Sequence, residues 1–304
     1  MGAYTIIFNP TSGQGRAAGR RQQMARAFNG LGRVQVCCTT YAGHAAALAR
    51  AATKRGAEVI VAAGGDGTVN EVVNGIFSAN GHGRPNAALA VYPLGCANDF
   101  ARGLGVRGPT DAGQKAARDR RRTIDMGQVS LDGQRPHYFS FSAGIGLVAA
   151  VAQARNRVPL VRGSLLYLLS ALTCLKKYRH GQPMRVTFDG RQVETGRFLL
   201  LSVNNCPTVG GFPLTPGACL DDGRLDILYV SETSLGRMVY LLLLARQGRH
   251  LGHHEFKVRR ARQVLIEAER PFPVHLDGQI YPTYWQRPTR LAFRAVQQAL
   301  VVVA

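Results

Sequence analysis

Hydrophobic and polar positions follow one pattern in the first half of the chain and another in the second. In the first half, short apolar runs are each followed by a polar loop and then by apolar residues at helical spacing. Residues 59–63 form the clearest run, and Val69, Val72, Val73 and Ile76 follow it at helical spacing. A continuous run rich in β-branched residues is typical of a buried strand in a parallel sheet. Further strands of this kind are predicted at residues 4–8, 33–39 and 87–92.

The second half has short strand patterns separated by Asp-Gly turns, which favour antiparallel hairpins. Strands are predicted at residues 129–131, 137–142, 184–188, 196–203, 224–229, 263–267 and 274–276, helices near 164–178 and 234–247, and closing strands at 290–296 and 299–303. We therefore predict an α/β plus β fold. A three-layer α/β nucleotide-binding domain spans residues 1–128, an antiparallel β-rich sandwich spans 129–285, and residues 286–304 pack back on the first domain. The active site is expected in the cleft between the domains.

The loop after the run at 59–63 has the composition of a phosphate site. It reads Gly-Gly-Asp-Gly-Thr at residues 64–68 and opens a helix. Glycines let the backbone approach a phosphate closely, and a helix N-terminus presents N–H groups with a partial positive charge. Asp66 beside such a site suits Mg²⁺ or a substrate hydroxyl. A tight turn capped by Thr68, without ligand, is the simpler interpretation, but it requires fewer glycines and no acid.

Two other loops follow predicted strands in the same way. Residues 9–15 read Asn-Pro-Thr-Ser-Gly-Gln-Gly, and residues 93–102 read Pro-Leu-Gly-Cys-Ala-Asn-Asp-Phe-Ala-Arg. Ligands of open α/β sheets bind at the carboxyl ends of strands, so these loops are candidates for further walls of a nucleotide site. By itself, the loop at 9–15 is equally well explained as an ordinary strand–helix connection. Cys96 has no His/Asp arrangement nearby in sequence that favours a thiol nucleophile.

These motifs resemble those of the diacylglycerol kinase catalytic family, which includes bacterial diacylglycerol kinases and the sphingosine and ceramide kinases. The core at 64–68 also occurs in NAD kinases and phosphofructokinases, whereas Asn70, Glu71 and the run at 98–102 are similar to the lipid kinases. The resemblance covers nearly the whole chain. It implies ATP-dependent transfer of the γ-phosphate to the hydroxyl of a membrane lipid such as diacylglycerol, ceramide or a sphingoid base. A kinase of a soluble metabolite such as NAD is an alternative.

The resemblance also implies a set of site residues. Contacts to ATP are carried over to Asn9, Pro10, Thr11, Ser12, Gly13, Thr39, Gly65, Asp66, Gly67, Thr68, Val69, Asn70, Glu71, Cys96 and Asn98. Cys96 replaces the family's usual threonine, and a thiol is a poorer hydrogen-bonding group than a hydroxyl. Asp66, Asp99 and Asp125 are expected to organise Mg²⁺ and water. A structural Mg²⁺ would take the Asp222 side chain and the Cys219 and Arg224 carbonyls, although from the residues alone a polar Asp-Gly hairpin is favoured there.

The chain departs from the family pattern near its end. The family has Asp-Gly-Glu, with the glutamate as the proposed base, and this chain has Asp277-Gly278-Gln279. An amide cannot take a proton at neutral pH. Asp277 or Asp66 could be the base, or phosphoryl transfer could need little base help. A catalytically weak or inactive lipid-binding or nucleotide-binding homologue is the remaining alternative. The predicted catalytic residues are Asp66, Asp277 and Gln279.

The charge of the chain indicates which partners suit it, and its cysteines indicate the cellular compartment. Of 304 residues, 38 are Lys or Arg and 18 are Asp or Glu, a formal net charge of +20 that favours anionic partners. No nucleic-acid recognition motif is present, so the predicted partner is a lipid at an anionic membrane surface. Six cysteines without a Cys-x-x-Cys pair fit a reduced cytoplasmic protein.

The apolar stretches at 165–175 and 238–245 are shorter than the roughly 20 residues of a membrane span. The early first strand leaves no room for a signal peptide. A cytoplasmic protein, peripheral on the inner face of the membrane, is expected. An edge strand of the β-rich domain could pair two chains, so the sequence is compatible with a homodimer.

Overall fold

The computed structural model of the chain describes residues 2–81, 83–154, 163–175, 180–280 and 288–304. The chain divides into two units, which we call unit 1 (Met1–Met126 with Gln297–Ala304) and unit 2 (Gly127–Val296). The end of the helix predicted at 164–178 and the start of the segment predicted to pack back at 286 lie outside the described residues. None of the helices in the described ranges is long and apolar enough to span a bilayer.

Unit 1 alternates strands and helices. They are β1 (Gly2–Phe8), a 3-10 helix (Ala18–Arg20), α1 (Arg21–Ala27), β2 (Gly32–Cys38), α2 (His44–Lys54), β3 (Val59–Gly64), α3 (Asp66–Ala79), β4 (Ala88–Pro93), α4 (Asp99–Gly103), α5 (Pro109–Arg118) and β5 (Arg121–Leu131), whose last residues belong to unit 2. Four strands pair in parallel in the order β2-β1-β3-β4. Every residue of β3 and β4 is buried, because helices cover both faces of a parallel sheet of this kind.

Helices α2 and α3 pack closely because small residues meet between them. A Cβ placed on Gly75 would lie 2.3 Å from the Ala46 carbonyl oxygen and 2.7 Å from the Ala49 Cβ. Ala49 is fully buried in this contact region. The glycine lets the backbones of α2 and α3 approach closely at this point.

Unit 2 is mostly antiparallel. Its elements are β6 (His137–Phe139), β7 (Ser142–Gly146), α6 (Leu147–Ala154), α7 (Gly163–Leu175), β8 (Gln182–Phe188), β9 (Gln192–Asn204), β10 (Leu225–Ser231), α8 (Leu235–Arg246), β11 (Phe256–Ala261), β12 (Gln263–Ala268), β13 (Val274–Leu276), β14 (Gln279–Ile280) and β15 (Arg290–Val303). The strand order is β14-β13-β7-β9-β8-β12-β15, and β10 pairs with β9 and β11. The core between the strands includes Phe139, Leu201, Ile227, Ile266 and Phe272.

Some predicted boundaries were wrong. The strands predicted at 290–296 and 299–303 are one strand, β15, which continues through Gln298 despite its positive φ of 46°. Its end lies in unit 1, where Val302 pairs in parallel with Leu89 of β4. The strand predicted at 137–142 is interrupted at Ser140 and Phe141, which separate β6 from β7. Helix α6 and strand β11 were not predicted.

Candidate active site

Three loops of unit 1 meet backbone to backbone at the carboxyl ends of β1, β3 and β4. A Cβ on Gly95 would lie 2.5 Å from the Gly65 Cα, and one on Gly65 would lie 3.1 Å from the Gly95 Cα. Gly13 has a φ of +62°, and a Cβ there would lie 2.5 Å from the Leu94 carbonyl oxygen. At Gly13 and Gly95, where the neighbour at 2.5 Å is backbone, a side chain would require the backbone to move, and at Gly65 the fit would be tight. The glycines predicted from the sequence to surround a phosphate are therefore brought to one place.

Hydrogen bonds hold these loops in register. Asn9 Nδ2 donates to Thr68 Oγ1 at 2.9 Å. The Gly65 N–H donates to Ser12 Oγ at 3.3 Å. Thr11 donates to Asn9 Oδ1 through both its N–H and its hydroxyl, at 3.0 and 2.8 Å. Residues 9–13, for which the resemblance implies contacts to ATP, are thus tied to the start of α3.

The start of α3 has the features of an anion site. Gly65 is the N-cap residue and makes no side-chain cap hydrogen bond, so the first-turn amides of this 14-residue helix depend on other partners. Amides and dipole at such a terminus favour a phosphate. Asp66 is the first helical residue and is half-buried. Its Oδ1 accepts the Phe100 N–H at 3.2 Å, which fixes the carboxylate against α4.

Asn98 closes the third loop. It lies in the left-handed region, with a φ of 53°. Its Oδ1 accepts the Gly95 N–H at 2.9 Å, and its Nδ2 donates to the Gly95 carbonyl at 3.0 Å. The Asn98 side chain therefore stabilises the conformation of its own loop. Cys96 lies half-buried within this loop.

The remaining predicted nucleotide residues take structural positions around these loops. The Thr39 N–H donates to the Phe8 carbonyl at 2.9 Å, which places Thr39 beside the end of β1. Glu71 Oε2 accepts the Ala45 N–H at 3.2 Å at the start of α2. This capping role of Glu71 was not predicted, because its partner lies on another helix. Val69 and Asn70 are buried. The contacts to ATP that the resemblance implies for these residues, and for those of the three glycine loops, remain predictions.

The three acids expected around Mg²⁺ have separate partners. Asp99 is 1% exposed and pairs with Arg102 at 3.1 Å. Asp125, also buried, accepts the Gln298 N–H at 2.8 Å. Within the described ranges, no group of three or more His, Cys, Asp or Glu side chains is arranged to hold a metal ion. A direct three-carboxylate site at Asp66, Asp99 and Asp125 is therefore not found there, and their roles toward Mg²⁺ remain predictions.

In unit 2, Asp277 holds a turn in place. Its side chain is fully buried, and its φ is +48°. Oδ2 accepts from the Ser140 N–H at 2.7 Å and from the Ser140 hydroxyl at 2.8 Å. Oδ1 accepts from the N–H groups of Phe141 at 2.9 Å and Ser142 at 3.1 Å. These four hydrogen bonds explain why β6 and β7 are interrupted at this point. Gln279, half-buried, begins β14 two residues later and pairs with Leu276.

We expect Asp277→Asn to destabilise unit 2 by about 2–4 kcal/mol, because an amide group facing four donors leaves at least one buried donor unsatisfied. Urea unfolding followed by tyrosine and tryptophan fluorescence measures the change. Asp189→Asn is the matched control, since Asp189 accepts two backbone N–H groups at an exposed Asp-Gly turn. An Asp277→Asn protein as stable as the control would contradict the role of Asp277 in holding the turn at residues 140–142.

An apolar cavity lies in unit 2. The space in it that the centre of a water-sized sphere can occupy is about 130 Å³. Its walls come from α6, α7, α8, β9 and β10, and Phe141, His275 and Gly278 also line it. Among the described residues that line the cavity, Thr233 and His275 alone carry polar side chains. Such a cavity suits an aliphatic chain.

The acidic loop before β10 contains a local hydrogen bond, and the strand that follows it is joined to β11 by an ion pair. Asp222 Oδ1 accepts the Arg224 N–H at 3.0 Å, as in the polar hairpin expected from the residues. Asp226, which is buried, pairs with Arg260 Nε at 3.0 Å, but none of the described residues donates a hydrogen bond to its Oδ2. Burial raises the pKa of Asp226, and the Arg260 hydrogen bond opposes that shift. The orphaned oxygen suits a cation, whereas Arg260 already supplies positive charge. Assignment of Cys219, Asp222 and Arg224 to a metal remains a prediction.

Comparison with known proteins is consistent across both units. The family model "Diacylglycerol kinase catalytic domain" matches residues 3–129, and the model "YegS C-terminal NAD kinase beta sandwich-like domain" matches residues 141–304. The chain is 32% identical over 280 residues to a diacylglycerol kinase of Bacillus subtilis (strain 168), covering 90% of this chain and 88% of that protein. It is 29% identical over 282 residues to a diacylglycerol kinase of Staphylococcus haemolyticus, covering 90% and 81%.

Solved structures share the fold. A diacylglycerol kinase structure from Bacillus anthracis str. Sterne matches with a TM-score of 0.71 at 22% identity, covering 99% of this chain and 96% of that one. Yeast NADH kinase complexed with NADH matches with a TM-score of 0.51 at 10% identity, covering 100% and 83%. These likenesses confirm the predicted fold class, an α/β domain followed by a β-rich domain.

Proposed function

This chain belongs to the diacylglycerol kinase catalytic-domain family, whose named relatives indicate a lipid kinase, and we propose that it transfers the γ-phosphate of ATP to a hydroxyl of a membrane lipid. The observation that carries the proposal is the meeting of Gly13, Gly65 and Gly95 at the start of α3. It is supported by the apolar cavity of unit 2, which a kinase of a soluble metabolite does not need.

The glycine loops and the first turn of α3 are the proposed seat of the nucleotide phosphates. Bound ATP with Mg²⁺ supplies the phosphoryl group and neutralises charge on the phosphates. The chain's own contribution is the backbone surface at Gly65 and Gly95, which a Cβ would fill, and the amides at the start of α3. Asp66, held by Phe100, is the carboxylate that we assign to the Mg²⁺ or to the acceptor hydroxyl.

Neither Gln279 nor Asp277 is well suited to take the proton of the acceptor hydroxyl. Gln279 cannot act as a base, and both oxygens of Asp277 already accept hydrogen bonds from residues 140–142. We therefore assign Asp277 a positioning role and leave proton removal to Asp66 or to a transition state that requires little base help. The cavity holds the acyl chain, and its wall at Gly278 lies beside Gln279 in sequence.

Phosphate transfer from radiolabelled ATP with Mg²⁺ tests the proposal. The acceptors are diacylglycerol, ceramide, a sphingoid base and phosphatidylglycerol, each in detergent micelles, together with NAD in solution. One labelled lipid is expected, and it would identify the acceptor. If no lipid is labelled although ATP binds, the protein is a binding homologue. If NAD is labelled instead, it is a kinase of a soluble metabolite.

Gln279→Glu should raise kcat by about tenfold or more, because the variant supplies a proton acceptor at the position where the family has one. The measurement is the initial rate of lipid phosphorylation from pH 5 to 8. Gln192→Glu, which adds the same charge at an exposed position of β9, is the control and should leave kcat unchanged. An unchanged rate in Gln279→Glu would mean that Asp66 removes the proton or that no base is needed.

The membrane contact is proposed on the outer side of α7 and α8. Their inner sides line the cavity through residues such as Leu175 and Leu241. Their outer sides expose large apolar side chains, namely Leu165, Leu172, Leu235, Tyr240 and Leu243. Neither helix contains Asp or Glu. Exposed apolar side chains on two helices that also line the cavity, in a chain with a net charge of +20, fit the interface of an anionic bilayer.

Leu243→Glu is expected to weaken binding to vesicles of phosphatidylcholine with phosphatidylglycerol by about tenfold, because a carboxylate replaces an inserting side chain and is repelled by anionic lipid. Vesicle co-sedimentation at low salt measures binding. Val193→Glu is the matched control, since Val193 and Leu243 are both 45% exposed. Equal weakening in both variants would assign the effect to net charge alone and remove α8 from the contact.

A further inference from the structure

A cavity in unit 1, separate from the apolar cavity of unit 2, is lined by three arginines. The space in it that the centre of a water-sized sphere can occupy is about 600 Å³, a size typical of small-molecule sites. Its walls come from the end of the 3-10 helix, the loop at 93–98, the end of α4 and the segment that leads into α5. Arg20, Arg102 and Arg107 line it, and none of the described lining residues is Asp or Glu. We call it the arginine pocket, and its charge suits an anionic ligand.

The arginine pocket lies on the face of the sheet opposite to α2 and α3. Because crossovers between parallel strands are right-handed, helices lie on opposite faces when the chain moves across the sheet in opposite directions. The chain moves from β1 to β2 through α1, and it moves back through α2 to β3 and through α3 to β4. Helices α2 and α3 therefore cover one face, and α1 covers the other. Helix α5 packs on α1, since a Cβ on Gly113 would lie 2.9 Å from the Ala27 Cβ.

The loop at 93–98 separates the arginine pocket from the proposed phosphate seat. On the side of α3, a Cβ on Gly95 would lie 2.5 Å from the Gly65 Cα. On the side of α1 and α5, Pro93, Gly95 and Asn98 line the pocket. No described residue of α3 is part of its wall. The two sites therefore share one loop but not the first turn of α3.

Arg102 is held in a fixed position at the arginine pocket. Its Nη1 donates to Asp99 Oδ1 at 3.1 Å, and its Nη2 donates to the Ala97 carbonyl oxygen at 3.0 Å. These hydrogen bonds use two of the five N–H donors of a guanidinium group. The side chain is 51% exposed, so its remaining donors are accessible to a ligand. A planar guanidinium can donate two parallel hydrogen bonds to the oxygens of a phosphate.

The other two arginines supply charge that no described carboxylate neutralises. Arg20 and Arg107 are exposed, and neither takes part in an ion pair among the described residues. The Arg107 N–H donates to Asp111 Oδ2 at 2.8 Å, which fixes the backbone of Arg107 at the start of α5. Asp111 is not one of the residues that line the pocket. The charge facing the ligand is therefore positive.

The start of α5 adds backbone donors to the arginine pocket. This helix has ten residues, its N-cap residue is Gly108, and Gly108 makes no side-chain cap hydrogen bond. Gly108 and Pro109 both line the pocket. The amides of a first turn have no partner within their helix, and the helix dipole favours an anion beside them. The arginines and this helix end therefore attract the same kind of ligand.

We propose that the arginine pocket is a second phosphate site, which binds the phosphate monoester of a ligand other than ATP and is occupied independently of the nucleotide. A phosphate monoester has up to two negative charges and three acceptor oxygens, so it can engage more than one guanidinium group at once. The pocket also has room for a small organic group. A soluble phosphorylated metabolite and the head group of a phosphorylated lipid both have this chemistry. The inference does not depend on the proposed kinase reaction.

Calorimetric titration with glycerol 3-phosphate at low salt, with and without saturating AMP-PNP and Mg²⁺, tests the proposal. The wild type should bind glycerol 3-phosphate with the same Kd in both conditions. Arg20→Gln and Arg107→Gln should each weaken binding by about tenfold, because each removes a charge-assisted hydrogen bond. Arg118→Gln is the matched control, since it removes the same charge at the exposed far end of α5. It should leave the Kd within about twofold, because water and salt screen a distant exposed charge.

Phosphatidic acid in phosphatidylcholine vesicles is the second probe, with binding measured by co-sedimentation and the folding of each variant checked by thermal unfolding. Binding of glycerol 3-phosphate that depends on Arg20 and Arg107 would support a site for a soluble ligand. The same dependence with the vesicles alone would support a site for a lipid head group.

Three results would overturn the proposal: binding of neither probe, equal weakening in Arg118→Gln, or displacement of glycerol 3-phosphate by AMP-PNP. Displacement would assign the arginine pocket to the nucleotide site. If AMP-PNP itself does not bind, the proposed kinase function fails, and the comparison of Arg20→Gln and Arg107→Gln with Arg118→Gln still decides whether the second site exists.

Discussion

Asp66→Asn should lower kcat for phosphate transfer to lipid by about a thousandfold while leaving the Kd for ATP within about threefold. The substitution removes the charge but keeps an oxygen that can accept the Phe100 N–H, so the loop should retain its shape. A carboxylate assigned to Mg²⁺ or to the acceptor hydroxyl acts mainly in the transition state, which predicts an effect on kcat. Steady-state phosphorylation and calorimetric titration with ATP measure the two quantities.

Asp111→Asn is the matched control for this variant. Asp111 is also an acid in the first turn of a helix, α5, and its Oδ2 accepts the Arg107 N–H at 2.8 Å. The Asp111→Asn substitution also removes one charge and should leave kcat unchanged. If Asp66→Asn retains more than a tenth of the wild-type kcat, Asp66 has no direct part in the reaction. If ATP binding is lost together with kcat, its role is in holding the nucleotide.

Gly95→Ala should weaken ATP binding by about a hundredfold, because the added Cβ would lie 2.5 Å from the Gly65 Cα and 2.8 Å from Asn98 Oδ1. The first of these neighbours is backbone, so relief requires the two loops to separate at the proposed phosphate seat. Titration calorimetry with ATP measures the change, with thermal unfolding to separate local from global effects.

Gly19→Ala is the control for Gly95→Ala. Gly19 lies in the 3-10 helix of the same unit, and a Cβ there would meet no atom within 4 Å. It should bind ATP as the wild type does. A Gly95→Ala protein that binds ATP within about threefold of the wild type would show that the contact between the loops is not needed for the nucleotide.

The part of the fold and the site that depends on local sequence was predictable. The apolar run at 59–63 and the glycines after it lie next to each other in the chain, and β3 and α3 form there as expected. The helix begins at Asp66, and its N-cap residue is Gly65 and not Thr68, the cap of the ligand-free interpretation. The meeting of the three glycine loops follows from parallel strands that all end at one edge of the sheet.

The unpredicted features depend on residues that are far apart in the sequence. The hydrogen bonds of Asp277 reach partners 135–137 positions away, and no local pattern marks them. The cavity is lined by residues from α6 to β13, each of which is an ordinary apolar position by itself. Two strands were predicted in place of β15 because Gln297 and Gln298 interrupt its apolar pattern. In the structure the strand continues through them, and the Gln298 N–H donates to Asp125.

The hydrogen bonds that Asp277 accepts from residues 140–142 also set an order of events during translation. The ribosome releases residues 140–142 long before Asp277, because 135–137 residues separate the donors from the carboxylate. At about 5–20 residues per second, this delay is on the order of ten seconds. During that interval the junction between β6 and β7 has no buried acceptor for its amides. The nascent polypeptide can therefore complete this part of unit 2 only late in synthesis. Until then, water or a chaperone must accept the hydrogen bonds of those amides.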